Sequence, residues 1–111
     1  MLSVLAIRDF CAARDIAFIL ATYPWGHQVN AREWMPGRLA FVPEDAVISD
    51  RSLEHIRRFA AQNGIELLDL FPAFRAYAGE APLYYPFDMH WTPAGHQLFT
   101  HQLQQLIADR L

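Results

Sequence analysis

Only two stretches of this sequence have the length and composition of β-strands, and each is closed by a proline. The first, IAFILATYP, begins at Ile16 and ends at Pro24, and the second, IELLDLF, begins at Ile65 and precedes Pro72. The first is apolar at consecutive positions, which is typical of a strand buried on both faces of a parallel sheet. Two such strands, each next to helical patterns, predict a parallel α/β arrangement.

Helical patterns precede, separate and follow the two strands. The second would begin after the N-cap residue Asp50 and end at Asn63-Gly64. The third would begin at Thr92 and Pro93 and run nearly to the end of the sequence. The apolar face positions of the three helices are Val4, Ile7, Phe10 and Cys11; Leu53, Ile56, Phe59 and Ala60; and Leu98, Phe99, Leu103, Leu106, Ile107 and Leu111.

The order helix, strand, helix, strand, helix limits the possible folds. A right-handed crossover joins the two strands, but two parallel strands do not make a stable sheet alone. We therefore predict that residues 1–111 form one partial domain, the C-terminal part of a doubly wound, flavodoxin-like three-layer parallel sheet domain. The remaining strands would come from a missing N-terminal half, from another chain or from a second copy.

Two long segments lie outside these elements. The stretch from Trp25 to Ile48 contains prolines and glycines but no regular pattern, and a second loop leads from Ala73 to His90. Loops of this length in small domains are usually functional or cover a ligand.

Composition excludes several classes of function. The chain of 111 residues has a formal net charge of -3 and no basic run, which argues against nucleic acid or an anionic membrane surface as partner. One cysteine allows neither an intrachain disulfide nor a multi-cysteine zinc site. No apolar run is long enough to span a bilayer, and the start does not resemble a signal peptide, so the compartment stays open.

The segment YYPFDMHWTPAGHQLF, residues 84–99, carries the clearest chemical signal. Asp88 and His90 are one residue apart, so in an extended segment their side chains point to the same side. A carboxylate so placed can accept a hydrogen bond from imidazole Nδ1 and leave Nε2 free as a base. An ordinary turn closed by an Asx-type hydrogen bond is the alternative interpretation.

This block resembles the last conserved block of the SGNH (GDSL) hydrolases. The residues that carry the resemblance are Asp88, His90, Trp91, Thr92 and Gly95, and the D-x-H-W spacing is similar to the branch related to alginate O-acetyltransferases. The resemblance implies that Asp88 and His90 belong to a Ser-His-Asp triad. It also implies an ester hydrolase or an O-acyltransferase whose substrate is an acyl ester or an O-acylated carbohydrate.

The nucleophile of that family is not found in the sequence. No Gly-Asp-Ser block occurs, and the three serines, Ser3, Ser49 and Ser52, lie at the terminus or at the predicted start of a helix. We therefore expect that this chain supplies two members of the triad and is inactive by itself.

Further residues are candidates for a substrate site. Trp25, His27 and Trp91 are predicted to bind substrate, and Trp34 could also line the site. Aromatic residues more often pack in the protein core. His96 is expected to pack, and His55 and His101 are expected to be exposed.

Two alternatives stay open. Asp88, His90 and His27 could chelate a divalent ion, although no helical ligand pair supports a metal site. A non-catalytic binding or interaction module that retains a hydrolase half-fold is the other alternative. No cofactor motif is present.

Overall fold

The computed structural model of the chain describes residues 1–110. Five α-helices and two strands occur in this part of the chain, with short 3-10 helices at Gly37–Ala40 and Ala108–Arg110. In chain order the elements are α1 (Leu2–Ala12), β1 (Ile19–Thr22), α2 (Gly26–Val29), α3 (Arg51–Gln62), β2 (Glu66–Asp69), α4 (Phe71–Ala76) and α5 (Pro93–Ile107). Leu111, predicted to continue the last helix, lies outside the described residues.

The chain divides into two compact units. Residues 1–22 and 50–68 form the first, which we call the sheet unit because it holds β1 and nearly all of β2. Residues 23–49 and 69–110 belong to the second, which we call the aromatic unit. The candidate site lies in the aromatic unit.

The sheet unit confirms the predicted α/β class. Strands β1 and β2 pair in a small parallel sheet, and α3 directly precedes β2 in the sequence. Helix α3 packs against β1 and buries Leu53 and Ala60. It follows Asp50 and ends before Asn63, as predicted, and Gly64 takes the positive φ of 60° that suits glycine after a helix.

The first strand, expected to be buried on both faces, is only partly buried, and the apolar face of the first helix is largely exposed. Helix α1 buries none of its residues, and Ile7 and Phe10 on its apolar face are 52% and 56% exposed. The regular strand begins only at Ile19, and Ile16 is half exposed. A two-stranded sheet presents too little surface to cover a whole helix face, so an apolar pattern here does not produce burial.

The aromatic unit contains most of the buried aromatic side chains. Its core comprises Trp34, Leu70, Phe71, Phe74, Leu83 and Tyr84. The helix α4, which the sequence analysis read as loop, contributes Phe71 and Phe74 to this core. Pro72 was predicted to end the preceding strand. It also lies in the first turn of α4, a position that suits proline, and this helix start was not predicted.

No helix within residues 1–110 is both long enough and apolar enough to cross a membrane.

Candidate functional site

The candidate site is built on a hairpin-like segment, residues 83–92, which we call the Asp-His hairpin. Tyr84 and Trp91 form an antiparallel bridge. The N–H of Tyr85 donates to the carbonyl oxygen of His90 at 3.2 Å, and the N–H of Thr92 donates to that of Leu83 at 2.9 Å. Asp88 and His90 therefore lie at the closed end of a hydrogen-bonded loop rather than in a free segment.

Thr92 joins this hairpin to helix α5. Its hydroxyl donates to the carbonyl oxygen of Pro82 at 2.6 Å and accepts the N–H of Gly95 at 3.4 Å. Thr92 is the N-cap residue and Pro93 follows it in the first turn, as predicted. The helix start thus fixes the open end of the hairpin, from which one arm leads back to His90.

The predicted pairing of Asp88 with His90 is present. Oδ1 of Asp88 is paired with Nδ1 of His90, and the same oxygen accepts the backbone N–H of His90 at 2.8 Å. The second contact is the Asx-type hydrogen bond of the alternative interpretation. One carboxylate oxygen therefore closes the turn and orients the imidazole, and the two interpretations are compatible.

The charge state of Asp88 determines which nitrogen carries the proton. The backbone hydrogen bond from His90 is the largest cause that lowers the pKa of the Asp88 carboxyl, and the side-chain hydrogen bond from His90 is the second. An ionised carboxylate only accepts hydrogen bonds, so Nδ1 must carry the hydrogen. In neutral His90, Nε2 then has a free lone pair and can act as a base.

The pair is open to solvent. The side chain of His90 is 82% exposed and that of Asp88 is 56% exposed. An orienting carboxylate in a closed active site is normally shielded from water, which strengthens its effect on the imidazole. The geometry of a base and its orienter is present here without the enclosure.

A cavity of about 220 Å³ lies beside His90. It is lined by Tyr23, Met89, His90, Trp91 and His96. A smaller cavity of about 100 Å³ is lined by Tyr23, Met89, Trp25 and Tyr84. Because the two cavities share Tyr23 and Met89, a mostly aromatic surface extends from His90 to Trp25.

Trp91 is the packing centre of this surface. Its ring meets Tyr23 edge-on with 4.8 Å between centroids, and those of Phe74 and Phe99 lie at 5.5 Å and 5.4 Å. The imidazole of His96 also meets it edge-on at 5.4 Å. Trp91 is half-buried, so it both lines the cavity and fixes the backbone next to His90.

The other predicted aromatic residues have different places. Trp25 is 46% exposed and lines the smaller cavity, whereas Trp34 is 2% exposed and belongs to the core. His27 packs against Trp25 and Trp34 and is absent from the linings of both cavities described above. Burial is the main cause that lowers the pKa of His27, and the charge of Arg38 adds to it.

The remaining histidines lie mostly as expected. His55 and His101 are exposed, as predicted. His96 packs on Trp91, as predicted, but it is exposed and also lines the cavity beside His90.

The serines lie on elements that explain them structurally. Ser3 is in α1, Ser52 is in the first turn of α3, and Ser49 directly precedes the N-cap residue of that helix. Tyr23, Met89, His90, Trp91 and His96, which line the cavity among the described residues, include no serine.

Metal ligands do not converge in this part of the chain. Within residues 1–110, no group of three or more His, Cys, Asp or Glu side chains is placed to hold a metal ion. The alternative that combines Asp88, His90 and His27 therefore has no preformed site here.

One buried carboxylate was missed by the sequence analysis. Glu33 is 6% exposed, and its oxygens accept the backbone N–H groups of Leu83 and Tyr84 at 3.0 to 3.1 Å. A single glutamate beside Trp34 in an irregular stretch has no spacing that would have indicated this contact. Tyr23 and Met89 were missed for the same reason.

Comparison with known proteins agrees with the resemblance described above. A family model described as the SGNH hydrolase-like domain of acetyltransferase AlgX matches residues 4–110. No curated protein and no solved structure gives a significant match. Because the family model covers nearly the whole sequence and includes the D-x-H-W block, the chain belongs to this SGNH hydrolase-like domain family.

Proposed function

We propose that this chain carries the base and the orienting carboxylate of a Ser-His-Asp acyl-transfer site, with His90 as base and Asp88 as orienter. The observation that carries the proposal is the contact of Asp88 with Nδ1 of His90, beside a cavity lined by His90 itself. The serine would be supplied from outside residues 1–111, either by a further part of the protein or by another chain.

The proposed chemistry follows from the tautomer. Nε2 of His90 would take the proton of a serine hydroxyl as its oxygen attacks an acyl carbonyl carbon. The carbonyl electron pair moves to the oxygen and returns as the bond to the leaving alcohol breaks, and that alcohol receives the proton from Nε2. The anion of Asp88 stabilises the imidazolium between these two transfers.

The second half of the reaction decides between hydrolase and transferase. Water attacking the acyl-serine would complete ester hydrolysis, whereas a hydroxyl group of a second substrate would complete O-acyl transfer. The family description names an acetyltransferase, which supports transfer of a small acyl group. The exposed aromatic rings of Tyr23 and Trp25 beside the cavities suit an O-acylated carbohydrate as the acyl donor or acceptor.

The same proposal includes the finer architecture. The strands β1 and β2 would be two strands of a doubly wound, flavodoxin-like three-layer sheet, to which further strands are added by the sequence or chain that brings the serine. The support is physical, because a two-stranded parallel sheet is not expected to be stable alone.

Turnover of p-nitrophenyl acetate tests the proposal directly. Residues 1–111 alone should hydrolyse it no faster than background, since a base without a nucleophile and an oxyanion hole has little to act on. Robust activity that Ser49→Ala or Ser52→Ala removes would show that the nucleophile lies within this chain.

A longer form of the protein that contains the nucleophile provides the positive test. There His90→Ala should lower turnover by about 10²- to 10⁴-fold, the usual contribution of a general base, and Asp88→Asn should lower it strongly with the fold intact. His101→Ala, which changes an exposed histidine of α5, is the matched control and should leave turnover unchanged.

A non-catalytic module is the alternative that this experiment can reveal. If no longer form and no partner supplies a serine beside His90, and every form lacks esterase activity, the chain is a binding or interaction module that retains the geometry of a hydrolase.

A further inference from the structure

The long segment 25–48, predicted to be irregular, contains α2 and the 3-10 helix Gly37–Ala40, and it lies against the arm of the Asp-His hairpin that begins at Leu83. The carboxylate of Glu33 accepts the N–H of Leu83 with both oxygens, at 3.0 Å and 3.1 Å, and that of Tyr84 with Oε2 at 3.0 Å. Further along the arm, the N–H of Gly37 donates to the carbonyl oxygen of Pro86 at 2.8 Å. The segment therefore forms hydrogen bonds with this arm at two places, at Leu83 and Tyr84 and at Pro86.

Glu33 supplies a contact that the hairpin cannot make by itself. Leu83 and Tyr84 are 0% and 2% exposed, so their N–H groups need a protein acceptor. In the hairpin, Leu83 uses its carbonyl oxygen to receive Thr92, and its N–H faces the other way, toward Glu33. A carboxylate that accepts hydrogen bonds from two adjacent backbone donors fixes the direction of both peptide units.

The same arm determines where His90 lies. The N–H of Tyr85 donates to the carbonyl oxygen of His90, and Tyr84 is bridged to Trp91. A rotation of the peptide units at 83–85 would therefore move the backbone of His90. Asp88 and His90 both lie at the tip that joins the two arms, so a shift of one arm relative to the other changes the distance from Oδ1 of Asp88 to Nδ1 of His90.

We propose that Glu33 is a positioning residue for the Asp88–His90 pair, and that its buried carboxylate holds the hairpin in the conformation in which Asp88 meets Nδ1. The catalytic meaning of this role rests on the proposed function, although the effect on the tautomer does not. Glu33 acts through Leu83 and Tyr84 and does not itself contact the imidazole.

A close approach at Gly37 is independent support for the contact between segment 25–48 and the hairpin. A methyl group on Gly37 would lie 2.8 Å from Cα of Phe87 and 2.8 Å from the carbonyl oxygen of Pro86. Both atoms are backbone, so they cannot move aside without shifting the arm. The segment 25–48 thus approaches the hairpin as closely as a residue without a side chain allows.

The experiment is nuclear magnetic resonance of the imidazole nitrogens of His90 in the chain, with Glu33→Gln as the main variant. An amide has one acceptor oxygen, and with that oxygen in the place of Oε2 its NH₂ group would face the N–H of Leu83. One of the three hydrogen bonds is then lost, and two donors oppose each other. In the wild-type chain with a neutral imidazole, Nδ1 should show the shift of a protonated nitrogen and Nε2 that of an unprotonated one. In Glu33→Gln the two shifts should move toward each other as the preference for the Nδ1–H tautomer is lost.

Controls separate positioning from a general loss of stability. Glu80→Gln changes an exposed carboxyl group lining a different cavity, one that Glu33 also lines, and should leave the His90 shifts unchanged. Folded Glu33→Gln with wild-type His90 shifts would overturn the inference, even if its melting temperature were lower. If Glu33→Gln does not fold, Glu33→Asp decides, because a side chain one methylene shorter keeps the charge but cannot reach both donors. Unchanged His90 shifts in folded Glu33→Asp would equally overturn it.

The measurement also separates this inference from the proposed function. If the wild-type chain itself lacks the Nδ1–H signature, the pairing of Asp88 with His90 fails, and with it the proposed base. If the wild-type chain has the signature and folded Glu33 variants retain it, only the role of Glu33 fails.

Discussion

Helix α1 of the sheet unit and the core of the aromatic unit use similar apolar residues with different results. In the sheet unit, helix α1 buries no residue, and Leu2, Ile7, Phe10 and Ile16 are at least half exposed. In the aromatic unit, Trp34, Phe74, Leu83 and Tyr84 are nearly or completely buried. The difference lies in what surrounds each pattern rather than in the pattern itself. A two-stranded sheet offers little surface to a helix, whereas a loop, a hairpin and two helices enclose the aromatic residues from several directions.

The comparison also explains why a site forms where it does. The proposed base and its orienting carboxylate would need a support that holds them within a fraction of an ångström. The aromatic unit provides that support for Asp88 and His90 through Trp91, Thr92 and Glu33. The sheet unit supplies a two-stranded α/β frame.

The largest effect is expected from opening the aromatic core. Phe74→Ala removes a ring that is completely buried and lies 5.5 Å from the ring of Trp91. It should lower the free energy of unfolding by about 3–5 kcal/mol, the usual result for buried phenylalanine, as measured by urea denaturation. Phe10→Ala, the matched change in the sheet unit, should cost about 1 kcal/mol or less, because that ring is half exposed and its cation partner is the exposed Arg14. Equal losses for the two variants would contradict the contrast between the units.

A second test adds volume where helix α5 meets the hairpin. A methyl group on Gly95 would lie 2.6 Å from the carbonyl oxygen of Leu83 and 2.8 Å from Cβ of Trp91. Alanine normally stabilises a helix relative to glycine by about 0.5–1 kcal/mol, but the clash should reverse the sign. Gly95→Ala should therefore lower the free energy of unfolding by about 1–3 kcal/mol.

The control for this test is an exposed position of the same helix. Gln97→Ala replaces one good helix former with another at an exposed site and should change stability by less than about 0.5 kcal/mol. A gain in stability for Gly95→Ala would mean that the hairpin moves away from the helix at little cost.

A smaller effect is expected from pH. Burial, with the charge of Arg38 second, lowers the pKa of His27 in the folded state, while the unfolded value is about 6.5. Between the folded and the unfolded pKa of His27, the unfolded chain therefore binds more protons than the folded chain. The stability that depends on neutral His27 is fully present above about pH 6.5 and is lost as pH falls through the lower folded pKa.

Denaturation at several pH values measures this dependence. His27→Gln should lose less stability than the wild-type chain between pH 7 and pH 5, whereas His101→Gln, which changes an exposed histidine, should follow the wild type. Parallel curves for wild type and His27→Gln would show that His27 is not the titrating group. The lowered pKa of Asp88 gives a pH dependence of stability in the same direction. Its contact with His90 weakens only as pH falls toward the range in which the carboxylate is protonated.

The smallest change in unfolding free energy is expected on the exposed face of α1. We expect the chain to associate with a second copy or with another chain along the sheet, because open strand edges and exposed apolar side chains favour pairing. Ile7→Gln combined with Phe10→Gln should reduce association in sedimentation while changing monomer stability by about 1 kcal/mol or less. A clean wild-type monomer at micromolar concentration would contradict this prediction.

Local signals were reliable where short-range chemistry decides the conformation. Thr92 and Pro93 predicted the start of α5, and the spacing of Asp88 and His90 predicted their contact. Both depend on residues within three positions of each other. The D-x-H-W block also led to the family that the comparison confirmed. The helix at Phe71–Ala76 was missed because it is a short element stabilised by burial of Phe71 and Phe74 rather than by its own propensity.

The sequence by itself therefore determined the α/β class, the family, the bounds of α3, the N-cap of α5, and the pairing of the carboxylate with the imidazole. The tertiary structure alone decided which apolar residues are buried, which aromatic residues line a cavity, and that Glu33 meets Leu83 and Tyr84 fifty residues away. The reason is physical. Caps, turns and contacts between near neighbours are set by local geometry, whereas burial and a buried carboxylate's partners depend on which distant segments fold against it.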